Sequence, residues 1–560
     1  MRSVYALVVP ASDGSVLVQR MERTGGLTSD PETVPRSGLA DAIRGIEERQ
    51  RPRWVWERTA DFYPSLLTAG VRVDRCHDLS LSAAVLAHSA YTSGYRPGIG
   101  LPGAIDSDDE PVGGLPAAAP SPLQGTLFEP AGAPGPGADV LAAELRRQLA
   151  AVARSPRAGR LRLLLAAESA GALVAAEIQH AGMPWDVAAH DALLTARLGP
   201  RPAPGARPAL LEAKAAELRA GLGSPRLNPD SPQELIRALH RAGIEARTTR
   251  AWELRQYAHP AIAPLLEYKK MARLLSANGW AWLDAWVRDG RFRPEYVVGG
   301  VVTGRWASRG GGAMQIPADV RSAARALPGH RLVVADASQL EPRVLAALAG
   351  DGAMAAAARG SDLYASIAAA GFGGDRAKAK VALLGAIYGA TTGESGRLMP
   401  QLTRLYPRAV ALVERAARDG ERGLTVTTHL GRSTPRPSER WIASQRTTTA
   451  DEQRRADAIA RERGRFTRNF VVQGTAAEWA ECWMADLRGR LRGLQRQGMT
   501  AELVYFLHDE VVIHAEEAAA EACAAAVRDA ARAAGRLLFP GAPVEFPLSV
   551  AVVESYDQAK

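Results

Sequence analysis

The sequence predicts a multidomain α/β protein. At 560 residues the chain is longer than one hydrophobic core usually serves. Short apolar segments with glycine turns alternate with amphipathic helical segments, and no repeat of fixed period is present. The stretch from Thr92 to Ala138 is so rich in proline, glycine and alanine that we expect a flexible insertion within residues 1–160.

Composition and charge narrow the class of protein. Hydrophobic residues make up 47% of the chain, and no apolar run is long enough to span a membrane. The N-terminus predicts a hairpin with an Asp13-Gly14 turn and lacks a secretory cleavage site, so we expect a cytoplasmic protein. Cys76, Cys482 and Cys523 are too scattered for a disulfide framework or a zinc site. A net charge of +9 permits a polyanionic partner.

The remaining elements follow from local patterns. Helical periodicity is clear in "DVLAAELRRQLAAVA", "RLLLAAESAGALVAAEIQHAG" and "SPQELIRALHRAGI", and Ser231 with Glu234 predicts a capping box in the last. A long basic helix over 259–287 could lie along a nucleic-acid backbone. "PEYVVGGVVTGRWASRGGG" predicts strand, glycine turn and strand. The apolar strand "RLVVAD" precedes a helix, and the chain closes with a helix from Asn469, the hairpin "ELVYFLHDEVVIHA", a helix near Glu516 to Leu538 and a final strand.

Two acidic elements interrupt or end apolar strands. They are Asp336, after "RLVVA", and Asp509-Glu510, in "VYFLHDEVVIH". Buried carboxylates brought together are unfavourable unless a cation lies between them, and oxygen ligands suit magnesium or manganese. Two such ions form the clamp used for nucleotidyl transfer. The alternative is that Asp336 caps the next helix and that His508-Asp509-Glu510 is a polar turn.

A helix in "GDRAKAKVALLGAIYGA" carries Arg376, Lys380, Leu384 and Tyr388 at steps of four. At 3.6 residues per turn these side chains form one gently spiralling stripe. Two cations one turn apart would bind the phosphates of a triphosphate, and the tyrosine would meet its base or sugar. A solvated face is the alternative, which the small, apolar surroundings of Tyr388 disfavour.

Arg465, Asn469 and Gln473 repeat the four-residue spacing further along the chain. Asn and Gln present both a donor and an acceptor, which suits contacts with base edges in a minor groove. An ordinary amphipathic helix start is the alternative.

These motifs resemble those of the family A DNA polymerases. "DASQLEPR" resembles the family's "DYSQIELR", "RAKAKVALLGAIYG" the fingers motif R-x3-K-x3-F-G-x2-Y-G, "LHDEVV" the third motif and "NFVVQGTAAE" the pattern "NxPIQGTAAD". "TGRWASRGGGAMQIP" is similar to "TGRLSSxxPNLQNIP" at its two ends, and "ESYDQAK" to "ENWDQAH". The motifs stand in the family's order, and the resemblance extends from about Leu161 to the end.

The resemblance implies a right-hand polymerase preceded by a ribonuclease-H-like domain. Residues 161–295 would begin the polymerase and form the thumb, 296–347 and 461–560 the palm, and 348–460 the fingers. Asp336, Asp509 and the carbonyl of Ala337 would ligate two Mg²⁺ ions, with Mn²⁺ possible, and Glu510 would be catalytic beside them. The incoming deoxynucleotide would contact Gln339, Glu341, Arg376, Lys380, Leu384 and Tyr388. Primer-template DNA would contact Arg305, Arg343, Arg465, Asn469, Gln473 and His508.

Several positions depart from the family pattern. Leu384 stands where the family has Phe or Tyr, which contacts the sugar, so altered sugar selectivity is our hypothesis. Ala337 replaces a Tyr, but only its carbonyl is needed. Pro342 replaces a Leu in the first turn of a helix, where proline is tolerated.

The N-terminal third resembles a degenerate 3′-5′ exonuclease domain. Asp78 matches its second carboxylate, but the Asp-x-Glu pair expected on the first strand is missing. Proofreading by two metals needs convergent carboxylates, so we expect little or no proofreading and a scaffold or DNA-holding role. Given the remaining length, we expect no 5′-nuclease domain.

The sequence therefore predicts a monomeric DNA-directed DNA polymerase acting in replication or repair on primer-template DNA and deoxynucleoside triphosphates. A single-subunit RNA polymerase is one alternative, which the bulk of Glu341 disfavours. A non-catalytic nucleic-acid-binding remnant is the other.

Overall fold

The computed structural model describes residues 4–11, 13–98, 137–310, 312, 316–390 and 393–559. Most of the segment predicted to be flexible, residues 99–136, lies outside the described residues. Across the described ranges, no helix is both long and apolar enough to cross a membrane.

The N-terminal part of the chain builds a mixed sheet. Its strands are β1 (Tyr5–Pro10), β2 (Val16–Met21), β3 (Glu32–Val34), β4 (Arg53–Trp56) and β5 (Cys76–Asp78). The predicted hairpin is confirmed, because Pro10 pairs with Val16 across a turn in which Gly14 has a φ of 83°. Within residues 4–98 the spatial order is β3-β2-β1-β4-β5, with β1, β4 and β5 parallel.

Helices cover this sheet and connect it to the rest of the chain. They are α1 (Leu39–Gln50), α2 (Thr59–Thr68), α3 (Leu79–His88), α4 (Ala138–Arg154) and α5 (Ala158–Ala181). Leu173 of α5 packs into the core of the N-terminal sheet, whereas Val174 and Ile178 pack into the main core of the chain. A helix that is apolar all round is buried all round. The assignment of this domain as ribonuclease-H-like and exonuclease-like stays a prediction.

The next region is helical. It contains β6 (Met183–Pro184), α6 (Val187–Leu198), α7 (Ala209–Gly221), α8 (Pro232–Arg241), α9 (Ala251–Leu254), α10 (Ile262–Asn278) and α11 (Trp280–Trp286). Ser231 caps α8 by accepting from the Glu234 amide at 3.3 Å, but the Glu234 carboxylate accepts from Asn228, so the predicted capping box is only half formed. The predicted continuous helix over 259–287 is also wrong. Two helices, α10 and α11, occupy this range, and they are separated at Gly279. An added Cβ at Gly279 would lie 2.3 Å from the Leu275 carbonyl oxygen.

Short strands lead into the central part of the fold. They are β7 (Val287–Arg288), β8 (Arg291–Phe292), β9 (Tyr296–Val297) and β10 (Ala307–Ser308). β9 and β10 pair antiparallel, which confirms the predicted strand, glycine turn and strand. The following strand, β11 (His330–Ala337), is a central strand of the second large sheet.

A run of helices follows β11. They are α12 (Leu340–Ala349), α13 (Gly352–Ala357), α14 (Leu363–Gly371), α15 (Arg376–Tyr388), α16 (Gly393–Leu405), α17 (Pro407–Glu421), α18 (Glu439–Ser444) and α19 (Ala450–Arg496). α19 begins well before the predicted start at Asn469, because Thr449 and Glu452 form a complete capping box. Its 47 residues give a length of about 70 Å at 1.5 Å per residue.

The last elements complete the sheet that we call the palm sheet, β11 to β14. They are β12 (Ala501–Leu507), β13 (Glu510–Glu516), α20 (Ala520–Leu538) and β14 (Leu548–Val553). Among the described strands the order is β12-β13-β11-β14, and all neighbours are antiparallel. Val333 and Ile513 of the sheet pack with Trp483 of α19 and Val527 of α20 in one core. Both β11 and β13 therefore pack against this core.

Candidate active site

The two predicted acidic elements meet at one edge of the palm sheet. Asp336, near the end of β11, is in register with Glu510 at the start of β13. The amide of Ala337 donates to the carbonyl of Asp509 at 2.7 Å. His508, which precedes Asp509 in the turn, has a φ of 55°. The tight turn thus places the Asp509 carboxylate beside that of Asp336.

The electrostatics of this pair favour a bound cation. Burial and the charge of Asp336 raise the pKa of Asp509 to about 7. Two carboxylates and the Ala337 carbonyl form an all-oxygen donor set of the kind that hard divalent cations prefer. Among the described residues, no group of three or more His, Cys, Asp or Glu side chains is placed to hold a metal. The fit therefore depends on the two aspartates, a backbone oxygen and oxygens supplied by a substrate.

Glu510 lies beside this pair and is anchored. Its side chain is 1% exposed, and it accepts a hydrogen bond from the hydroxyl of Tyr556. Tyr556 itself is fully buried. The structure places Glu510 next to Asp336 across the sheet, and its catalytic role stays a prediction.

Glu341 connects two other predicted site residues. Its carboxylate, only 9% exposed, accepts from the guanidinium of Arg305 and from the hydroxyl of Tyr388 at 2.6 Å. Burial and the Glu341 charge raise the pKa of Tyr388 well above its ordinary value, so the phenol stays protonated as a donor. Arg305, Glu341 and Tyr388 form one hydrogen-bonded group.

The stripe on α15 is confirmed as a helix face. Arg376 and Lys380 are exposed, Leu384 is half-buried, and 42% of Tyr388 is exposed. Asp375 caps the helix by accepting from the Lys378 amide at 3.0 Å. Gly389 ends it in the left-handed conformation, with a φ of 74°. Both cations therefore lie at the surface, within reach of an anionic ligand.

The sequence did not point to Asp362, although this residue binds two side chains that are predicted to contact the nucleotide. Its carboxylate accepts from Arg376 at 2.6 Å and from the Gln339 amide at 2.9 Å. Gln339 also accepts from the backbone of Leu363 at 2.7 Å, and Arg376 lies over the Tyr364 ring at 5.5 Å. The available signal was the helix-cap pattern of "SDLYA", where Asp362 precedes α14.

The third stripe lies on the middle of α19. Arg465 is exposed, and Asn469 and Gln473 are half-buried on the same face. An added Cβ at Gly389 would lie 3.0 Å from Cγ of Arg465, so the stripe starts beside the end of α15. His508 is exposed in the turn that carries Asp509. These positions agree with the predicted DNA contacts, which stay predictions.

The side chain of Arg343 does not lie at the surface, so its predicted contact with DNA is wrong. The side chain is fully buried. It donates to the backbone carbonyls of Ser338, Ala358, Glu545, Gly360 and Ser361 at 2.6–3.0 Å. Its role is to fix the segment before α14 to the palm sheet.

Asp78 of the N-terminal domain is likewise buried and hydrogen-bonded within the fold. It is 3% exposed, caps α3 through the Leu81 amide at 2.9 Å, and accepts from the amide and hydroxyl of Thr59 at 2.7 and 2.8 Å. Cys76, Cys482 and Cys523 are buried free thiols, as predicted.

Two aspartates thus lie together at one edge of the palm sheet, and α15 carries two exposed cations. The sequence profile of DNA polymerase family A matches residues 206–557, and the chain belongs to this family. Members of the family generally use divalent metal ions.

Similar proteins agree with this assignment. DNA polymerase I of Chloroflexus aurantiacus is 30% identical over 302 residues, which are 48% of this chain and 30% of that protein. The thermostable DNA polymerase I of Thermus filiformis is 28% identical over 343 residues, 56% of this chain and 38% of that protein. The chain therefore spans about a third of the length of these curated relatives.

A solved structure supports the fold across the whole chain. The POL domain of Pol1 from M. smegmatis, in complex with DNA primer-template and dNTP, matches with a TM-score of 0.68 and 19% identity. The match covers 100% of this chain and 94% of that one. The predicted right-hand polymerase fold is confirmed.

Proposed function

We propose that the protein is a DNA-directed DNA polymerase that extends a primer on a template. The observation that carries this proposal is the placement of Asp336 and Asp509 at one sheet edge, with the pKa of Asp509 raised by burial and by Asp336. The primer 3′-oxygen attacks the α-phosphate of a deoxynucleoside triphosphate, a new P–O bond forms, and pyrophosphate leaves.

Each group of the site has a distinct part in this reaction. Asp336, Asp509 and the Ala337 carbonyl would hold two Mg²⁺ ions, and Mn²⁺ has the same ligand preference. When bound, the ions would activate the primer hydroxyl and stabilise charge on the phosphates. Arg376 and Lys380 would hold the triphosphate, and Arg376 would leave Asp362 to do so.

Selection of the sugar and of the strands rests on the neighbouring groups. The Glu341–Tyr388 pair would lie under the sugar and reject a 2′-hydroxyl, because a buried, already bonded carboxylate has no room for it. Leu384 would touch the sugar from α15. Gln339, held by Asp362, would support this pocket, and Glu510 would assist the aspartates.

The DNA would lie across the α19 stripe. Arg465, Asn469 and Gln473 would contact the minor groove of primer-template DNA, Arg305 the primer strand and His508 the primer end. The thumb, fingers and palm would have the bounds given above, and the N-terminal domain would act as a scaffold without strong proofreading. We place the enzyme as a monomer at the nucleoid, in replication or repair.

Primer extension tests this proposal. Wild-type protein with Mg²⁺ should extend a labelled primer with the four deoxynucleotides and not with ribonucleotides, and Asp509→Ala should abolish extension while retaining primer-template binding. Asp41→Ala, which removes an exposed carboxylate far from the site, is the matched control. Efficient ribonucleotide use would identify an RNA polymerase, and DNA binding without any extension a non-catalytic protein.

A further inference from the structure

The turn that carries Arg305 rests on a buried arginine that the proposed mechanism does not use. Arg432 lies in the loop between α17 and α18, and 12% of its side chain is exposed. An added Cβ at Gly304 would lie 2.5 Å from Nε of Arg432. Gly304 has a φ of 87°, which glycine adopts without strain. The backbone of the turn therefore rests directly on the guanidinium.

Three buried carboxylates surround Arg432. Glu168 of α5 forms an ion pair with it, and Glu478 and Glu481 lie one turn apart on α19. All three are at most 2% exposed. Glu478 also accepts from the hydroxyl of Thr428 and from the amide of Leu430 at 3.0 Å, both in the loop of Arg432. The cluster thus joins α5, α19 and this loop.

The cluster carries more acid than base. Burial raises the pKa of Glu478 to about 7 and, with the charge of Glu478 opposing ionisation, that of Glu481 to about 8. One guanidinium cannot neutralise three ionised carboxylates in a buried site. At neutral pH the cluster therefore holds a proton, chiefly on Glu481.

One further cation faces the cluster, so two cations meet three carboxylates and the cluster still carries more acid than base. Arg160 approaches Glu478 from α5 and donates to the carbonyl of His429 at 3.1 Å. Cys482 is a buried thiol whose pKa is raised by burial. The Trp306 ring lies next to Glu481 at the end of the turn.

The N-terminal domain holds the same loop from the opposite side. The Ser89 hydroxyl donates to the carbonyl of Gly431 at 2.8 Å, and the amide of Ala90 donates to the Ser433 hydroxyl at 2.9 Å. Arg432, between Gly431 and Ser433, is therefore fixed from both directions. This gives the N-terminal domain a physical connection to the turn of Arg305.

We propose that Arg432 is a positioning residue for the primer strand, and that it acts through Arg305 while a proton on Glu481 keeps it in place. The inference rests on the proposed function. Arg432 supports Gly304, and the next residue is Arg305. Arg305 donates a hydrogen bond to the Glu341 carboxylate, which also accepts one from the Tyr388 hydroxyl. Loss of the proton would leave excess negative charge around Arg432, shift the guanidinium relative to Gly304 and weaken the primer contact.

A double-mutant cycle tests the route through Arg305. The affinity of the full chain for a fluorescent primer-template hairpin is measured without nucleotide. Arg432→Met and Arg305→Ala should each weaken binding about tenfold, Arg432→Lys should restore part of the loss, and the double variant should bind no more weakly than Arg305→Ala alone. Additive losses, or an Arg432→Met variant with wild-type affinity, overturn the proposal.

A second variant tests the proton without removing the arginine. Glu481→Gln mimics the protonated carboxyl and keeps its size. From pH 7 to pH 9, wild-type affinity for the hairpin should fall several-fold more than the affinity of Glu481→Gln, since the ionisation of Asp509 affects both proteins alike. Glu521→Gln, at an exposed position on α20, is the control and should follow the wild type. Parallel profiles for Glu481→Gln and wild type overturn the role of the proton.

Primer extension separates this inference from the proposed function. If wild-type protein fails to extend a primer, the proposed function is wrong. If it extends the primer and the two arginine substitutions are additive, only the role of Arg432 is wrong.

Discussion

The hydroxyl of Tyr388 donates a 2.6 Å hydrogen bond to the carboxylate of Glu341. The two residues come from different helices, α15 and α12, so their contact closes the floor of the proposed sugar pocket before any nucleotide arrives. We expect Glu341→Ala to increase ribonucleotide incorporation relative to deoxynucleotide by about 10- to 200-fold, the range that a small change of pocket size supports. Single-nucleotide kcat/KM values measure it. Glu394→Ala, on the neighbouring helix α16, should leave the ratio unchanged.

Leu384 should set the response to chain terminators. It is half-buried between Lys380 and Tyr388 on the α15 stripe, where an aromatic ring would add contact area beneath the sugar. We expect Leu384→Phe to change the dideoxy-to-deoxy incorporation ratio by about tenfold, equivalent to roughly 1.4 kcal/mol. Equal ratios in wild type and Leu384→Phe would contradict the assignment of this position to the sugar.

Metal binding should depend on pH through Asp509. The metal-free pKa of Asp509 is raised to about 7 by burial and by Asp336, and a metal ligand must be ionised. Because the carboxyl loses its proton as pH rises, Mg²⁺ should bind about tenfold more tightly at pH 8 than at pH 6. The Mg²⁺-induced rise in Tm should grow accordingly. Asp509→Asn should show little rise at either pH, and an undiminished rise in that variant would place the metal elsewhere.

Arg488 and Glu177 should hold the N-terminal domain against the polymerase. Arg488 donates to Glu177 at 2.8 and 2.9 Å and to the carbonyl of Asp74 at 2.8 Å, and Tyr63 donates to Glu177 at 2.6 Å. Glu177→Ala should lower the free energy of unfolding by about 3–5 kcal/mol, because it leaves a buried cation. Urea unfolding measures the loss, and the double substitution Glu177→Leu with Arg488→Leu should recover much of it. A double variant as unstable as Glu177→Ala would argue that packing dominates.

Asp78 should matter for stability and not for nuclease activity. It caps α3 and accepts from Thr59, so Asp78→Ala should lower stability by about 1–2 kcal/mol. Neither wild type nor Asp78→Ala should shorten a mismatched 3′ end with Mg²⁺. Trimming by wild type that is lost in Asp78→Ala would show that the domain retains a nuclease site.

Much of the site could be predicted because helix and strand periods are local. Steps of four placed Arg376, Lys380 and Tyr388 on one face, and the strand-ending positions of Asp336 and Asp509 brought them together. The predicted DNA contact of Arg343 was wrong because the burial of this side chain depends on carbonyls of a distant loop, such as that of Glu545, which no local pattern encodes. The partners of Arg432 could not be predicted for the same reason, since Glu168 and Glu478 come from separate helices.

The length of α19 has a mechanical consequence. One uninterrupted helix carries Gln473 of the proposed minor-groove face, Glu481 of the cluster under Arg305, and Arg488 of the contact with the N-terminal domain. Since each residue turns the helix by about 100°, one inserted or deleted residue between Gln473 and Arg488 would rotate one face away from its partner. The three faces must therefore keep a fixed rotation relative to one another. Insertions or deletions in α19 can be tolerated only toward its exposed start at Ala450.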